Sequence, residues 1–197
     1  MKNKIIFPTI FLVILVGVMI LSNLSGVNSS NSDTESLNPT AVEQKIFMYL
    51  SLKGSKQGAI QGSVTTAGLE GMIEVYSYTH SIISPVDAGT GQPSGKRQHK
   101  PLTITKPLDK STPLLYQSLV TSETLSTWEL DFYHTTSAGK SELYYTIELT
   151  NARISEITSR GSGYGVTESV SFVYQKITWT WVDGGITAQD DWASPVA

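Results

Sequence analysis

From Lys45 onward, apolar and polar positions alternate with a period of two, the spacing of strands that bury one face. Ile46, Met48, Leu50 and Leu52 share one side of the first run, and Phe47, Tyr49, Ser51 and Lys53 share the other. After a connection rich in Gly and Ser, GMIEVYSYTHSII predicts a second long strand, with Ile73 and Val75 on one face and Glu74, Tyr76, Tyr78 and His80 on the opposite one. Pro85 ends that strand. Residues 84–99, SPVDAGTGQPSGKRQH, are dominated by Gly, Pro and small polar side chains, which rule out regular structure and predict a long exposed loop. A loop of that length usually carries a function. LTIT at 102–105 resumes a short strand.

The chain then changes period once. DKSTPLLYQSLVTS predicts a helix: Ser111 or Thr112 can cap it, Pro113 suits its first turn, and Leu115/Leu119 and Tyr116/Val120 pair at i, i+4. Three strand segments follow, LSTWELDFYHT, SELYYTIELTNARISEI and VTESVSFVYQKITWTWV. They are joined by SAGK and the glycine-rich SRGSGYG, turns that suit an antiparallel meander. In the last segment Val170, Phe172 and Tyr174 occupy even positions and Ile177, Trp179 and Trp181 odd ones, so a bulge is expected near Gln175 and Lys176. The fold class these elements predict is mainly β: a small antiparallel barrel, closed or nearly so, with one flanking α-helix.

The first residues read differently. Lys2 and Lys4 precede the uncharged stretch Ile5 to Leu21, and a polar run follows it, so residues 1–26 read as a signal peptide or a membrane anchor. The small residues behind the apolar run leave cleavage and retention both open. Residues 27–44 form a polar, flexible linker, 45–183 the β domain and 184–197 a C-terminal tail. The product is expected outside the cell, or held at the membrane through residues 5–21 if that segment is not cleaved.

Composition narrows the chemistry. The 197 residues are enough for one well-buried domain, with 40% apolar and 16% charged side chains. The chain has no cysteine, which removes disulfides, thiolate metal sites and a cysteine nucleophile together. A net charge of −3 gives no electrostatic reason to seek nucleic acid. His80, His99 and His134 lack ligand-type spacing, and no GxSxG elbow anchors a hydrolase triad, so neither metal, cofactor nor catalytic residue is expected. Glu129 and Asp131 share a strand face that reads as a solvated or interface surface. Gly161, Gly163 and Gly165 join two strands and open no helix, so they are turn residues and not a phosphate cradle. Lys96, Arg97 and Lys100 make a small basic patch on the long loop, either a solvated tip or a contact to an acidic surface.

Three stretches in a fixed order, IEVYSYTHSIISPV with its Gly-rich loop, LTITKPLDKSTPLLYQ, and TESVSFVYQKITWTW, resemble the Hcp family, the tube-forming protein of type VI secretion systems. The likeness spans about residues 46–182, with Val75, His80, Leu115, Phe172 and Trp179 among its matching positions. It implies a homo-oligomer, a hexameric ring of small barrels stacking into a hollow tube, with the secretion machine or small cargo proteins as further partners. It also implies that the loop reaches the neighbouring ring, through Ser84, Pro85, Gly89, Gly91, Gln92, Lys96 and Arg97. Two features depart from the family pattern: Met72 stands where members carry Trp, and the chain begins with a membrane-directing segment. The competing reading is an exported β-scaffold that binds a glycan or a surface protein through Tyr76, Tyr78, Trp128 and Trp179.

Overall fold

The structure is a computed structural model that describes residues 45–194; the predicted leader and linker lie outside the described residues. In chain order it contains β1 (Ile46–Gly54), β2 (Gly58–Ala59), β3 (Ile73–Val75), β4 (Ser77–Thr79), β5 (Ile82–Ile83), β6 (Gln98–His99) and β7 (Leu102–Pro107). The helix α1 (Thr112–Val120) follows, then β8 (Leu125–Thr135), β9 (Ser141–Thr150), β10 (Arg153–Ser162), β11 (Gly165–Val173), β12 (Lys176–Trp181), a 3-10 turn at Asp183–Gly185 and β13 (Ile186–Asp191). The larger sheet has the order β13-β12-β9-β8-β1-β2, with β3 also pairing with β1; the smaller has the order β10-β11-β7-β4. Every registered pair is antiparallel.

Three of the long predicted strands are divided, because the chain leaves one sheet and enters the other part-way along; the first of them also supplies β5. Val75 still pairs with Met48 of β1, whereas Ser77 pairs with Thr105 of β7. Between β9 and β10 the corner is Asn151, at φ 53, a left-handed conformation that Asn tolerates better than most residues. The third corner lies at Tyr174 and Gln175, where a bulge was expected. The slip in alternation there marks a change of sheet: β11 pairs with β7 and β10, and β12 with β9 and β13. Val170, Phe172 and Tyr174 on one side of the corner and Ile177 on the other all enter the same core. Strands that switch sheets are how two layers enclose one interior without closing every edge.

The simple meander is therefore replaced by a wound order, with β12 beside β9 and β11 beside β7. Leu50, Ile73, Leu102, Ile104, Leu130, Phe172 and Ile177 are fully buried between the sheets. Trp128 packs edge-on against Phe172, ring centroids 5.4 Å apart. The helix lies against β10, with Leu115 buried and Val120 facing out. Its start is held by Asp109, not by a side chain at position 111 or 112: Asp109 Oδ1 accepts the Ser111 backbone N–H at 3.0 Å and the Ser111 hydroxyl at 2.5 Å. The segment expected to be a tail is also part of the fold, since β13 pairs with β12 over six residues, from Lys176↔Asp191 to Trp181↔Ile186. β10, β4 and β13 lie at sheet edges, with unpaired backbone groups along one side.

Candidate functional site: an anchored ribbon

Residues 82–99 are a ribbon and not an irregular loop. Ile82 pairs with His99 and Ile83 with Gln98, and a further bridge joins Val86 to Pro93. The arms are tied by Ser94 N–H to Pro85 O at 3.0 Å, and at the base Lys100 N–H reaches Ser81 O at 3.0 Å. Gly and Pro did not prevent pairing, because they fall in the turn and at positions where no ladder donor is needed. At the tip, Asp87 Oδ1 accepts the N–H of Gly89 at 3.1 Å, the N–H of Thr90 at 2.8 Å and the Thr90 hydroxyl at 2.8 Å. The Thr90 and Gly89 bonds hold the Asp87 carboxyl below the usual carboxylate range. Gly91, at φ 70, closes the turn with its N–H on Asp87 O. Ile82, Ile83 and Val86 stand exposed on this ribbon.

A chain of polar side chains fixes the ribbon's base to the end of the molecule. Arg97 sends Nε and a terminal N–H to the two carboxylate oxygens of Asp190, and donates to Asp191 O at 3.0 Å. His99 contacts Asp190 Oδ2 through Nε2 at 2.8 Å and the Tyr174 hydroxyl through Nδ1 at 3.0 Å. His80, just beyond β4, reaches the same hydroxyl through Nε2 at 2.6 Å. Trp192 donates its indole N–H to Tyr174 O at 2.6 Å, and Gln175 donates to Asp191 Oδ2 at 3.1 Å. Burial, and then the Asp190 carboxylate, raise the Tyr174 pKa; burial, and then His99, lower that of His80.

The predicted site residues thus divide. Ser84, Pro85, Gly89, Gly91, Gln92 and Lys96 lie on the ribbon, but Arg97 is not part of a free basic patch, because its guanidinium is bound to Asp190. Val75, Leu115 and Phe172 are core residues, and Trp179 is half-buried with its ring 6.4 Å from that of His80. The separation of the three histidines in sequence does not hold in space for two of them. His80 and His99 meet at Tyr174, while His134 lies against Tyr144 on the larger sheet. Asp190, Asp191 and Trp192 were missed because they fall in the segment expected to be a tail; the aromatic-acidic run at the chain's end was the one available signal.

A second cluster lies on the outer face of the larger sheet. Glu129 stands directly opposite Glu148, and Asp131 lies between Tyr49 and Thr146. Asp131 is only 9% exposed and its Oδ1 has no hydrogen-bond partner. Burial first, then Glu129 and Glu148, push its carboxyl up to about 6. Among the described residues, no group of three or more side chains is arranged to hold a metal ion.

The family described as type VI secretion system effector, Hcp, matches residues 49–181. The chain belongs to the Hcp family. It is 39% identical over 166 residues to the major exported protein of Pseudomonas aeruginosa, a match covering 76% of this chain and 96% of that one. Among solved structures it is similar to Hcp1 from E. coli EAEC 042, with a TM-score of 0.70 and 36% identity, covering 75% of this chain and 99% of that one. Secreted protein Hcp3 from Pseudomonas aeruginosa follows at 0.64 and 35%, covering 76% of this chain and 100% of that one. The mostly β body with one helix is the Hcp fold, and the chain is a type VI secretion protein of the Hcp kind. The family match ends at 181, so it does not include β13 or Asp190.

Proposed function

We propose that the β domain is the repeating subunit of a homo-oligomeric, hexameric ring, and that rings stack through the ribbon at residues 82–99. The observation that carries this reading is three exposed apolar side chains, Ile82, Ile83 and Val86, on a hairpin already ordered by its own backbone bonds and by the Arg97–Asp190 contact. A preorganised arm loses little entropy when it docks, so a small apolar contact repeated around a ring suffices. The open edges of β10 and β4 offer lateral contacts within a ring. The partners are copies of the same chain, with secretion-machine or cargo proteins beyond them.

The relative's name, major exported protein, supports an exported product. Among the described residues no helix is long and apolar enough to cross a membrane. A subunit held by residues 5–21 could not travel within a tube, so a free tube requires that the leader be removed; retention would place an Hcp ring at the membrane. Native mass spectrometry of the protein recovered from its own host reads both questions at once. Six subunits per particle, each lacking the leader, is the expected result, with stacked rings in electron micrographs; a monomer at high concentration would sink the ring. The glycan- or protein-binding platform is less favoured, because Trp128 is 2% exposed and Trp179 is half-buried, which leaves Tyr76 and Tyr78 as the exposed members of its four aromatics.

A further inference from the structure

The polar chain at the ribbon's base has a donor order that is complete in only certain protonation states. With both imidazoles neutral, His80 Nε2–H donates to the Tyr174 oxygen, Tyr174 O–H to His99 Nδ1, and His99 Nε2–H to Asp190 Oδ2. Every buried atom in the row then has its partner. One added proton is accommodated by reversal: doubly protonated His99 donates to both Asp190 and the Tyr174 oxygen, and Tyr174 O–H turns to His80 Nε2. A second proton has no such solution. Two imidazolium N–H groups would then point at one hydroxyl, whose own proton is left without an acceptor, and two cations would share a half-buried site.

The groups around this row come from every element packed on it. His99 and Arg97 come from the ribbon, His80 from the connection after β4, Tyr174 from the corner between β11 and β12, Trp179 from β12, and Asp190 and Asp191 from β13. Asp190 is the acceptor for both Arg97 and His99, so both side chains that anchor the ribbon depend on one carboxylate. His80 is held below the ordinary histidine range by burial and by His99. A proton on His80 is therefore disfavoured in the anchored state, and anchorage weakens as pH falls below the free histidine value of about 6.5.

We propose that His80, Tyr174, His99, Asp190 and Arg97 form a proton-gated latch that positions the ribbon, holding it with at most one of the two imidazoles protonated and releasing it when both are. The consequence for ring stacking rests on the reading above, but release itself is a property of the subunit. The chain has no cysteine, so a single Gly89→Cys change supplies a unique dye site at the ribbon tip. A Cβ there meets only Asp87 Oδ1, at an ordinary 3.5 Å. Dye anisotropy is read on the full chain between about pH 7.5 and about pH 5, with far-UV circular dichroism confirming the fold.

The wild-type ribbon should lose anisotropy reversibly on acidification. His80→Gln should abolish that response while keeping the high neutral value, because an amide can donate to or accept from Tyr174 without titrating. Asp190→Asn should be loose already at neutral pH. A flat wild-type profile, an unchanged response in His80→Gln, or an Asp190→Asn ribbon as rigid as wild type would overturn the latch. A ribbon that releases in a chain that never stacks into tubes would remove the stacking reading and leave the latch in place.

Discussion

At the scale of single residues, an acidic pair that alternates like a solvated strand face is partly withdrawn from water, with Asp131 buried and Glu129 half-buried. Glu129 and Asp131 were legible as neighbours on one strand face, since they are two positions apart. That Glu148 stands opposite Glu129 depends on the β8–β9 register, including its irregularity after Phe132, which no local pattern specifies. The consequence is measurable. Because the folded-state pKa of Asp131 is raised, the folded protein holds that proton more tightly than the unfolded chain. The stabilisation is fully present below about pH 4 and is lost as pH rises through about 6. Asp131→Asn should raise stability by about 1–2 kcal/mol at pH ~7.5 and by nothing at pH ~4, allowing for the site's partial exposure to water. Urea midpoints at the two pH values test this; an equal shift at both would show that charge is not the cause.

At the scale of elements, the periodicity located most strands and the helix, but not β2, β6 or β13. It could not show where a strand changes sheets: the alternation runs on through the first corner, and a slip such as those at Asn151 and at Tyr174 and Gln175 reads equally as a bulge. A buried ion pair was likewise invisible. Lys106 on β7 is completely buried, with Nζ 3.1 Å from Glu168 Oε2 and 2.8 Å from Asp109 Oδ1, and it also donates to Pro107 O at 2.7 Å. Glu168 in turn accepts the Thr112 hydroxyl at 2.5 Å, so this group joins the helix start to the smaller sheet. Read from sequence, Lys106 and Glu168 look like ordinary surface charges. Lys106→Met should cost about 3–5 kcal/mol, since it strips two buried carboxylates of their shared cation. Chemical denaturation checks this, and a loss below about 1 kcal/mol would mean that the carboxylates find water or protonate at little cost.

At the scale of the whole molecule, the end of the chain links the larger sheet to the ribbon. β13 covers the side of β12 away from β9, and Asp190 at its end holds Arg97 and His99. Removing residues 184–197 should therefore both destabilise the domain and free the ribbon. Hydrogen exchange should show β12 amides losing protection, together with a lower urea midpoint. Unchanged protection along β12 would return the segment to the status of a tail.

The sequence by itself determined the β character, the single helix, the positions of most strands and the family likeness. These follow from side-chain period, turn chemistry and ordered local motifs, all of which act over short spans. Only the tertiary structure decided which strand lies beside which, that the Gly- and Pro-rich segment pairs with itself, and that His80, His99 and Tyr174 converge with Asp190. Those contacts join residues as many as 94 positions apart. They form because two sheets must close over one core, a constraint on the whole chain that no local window contains.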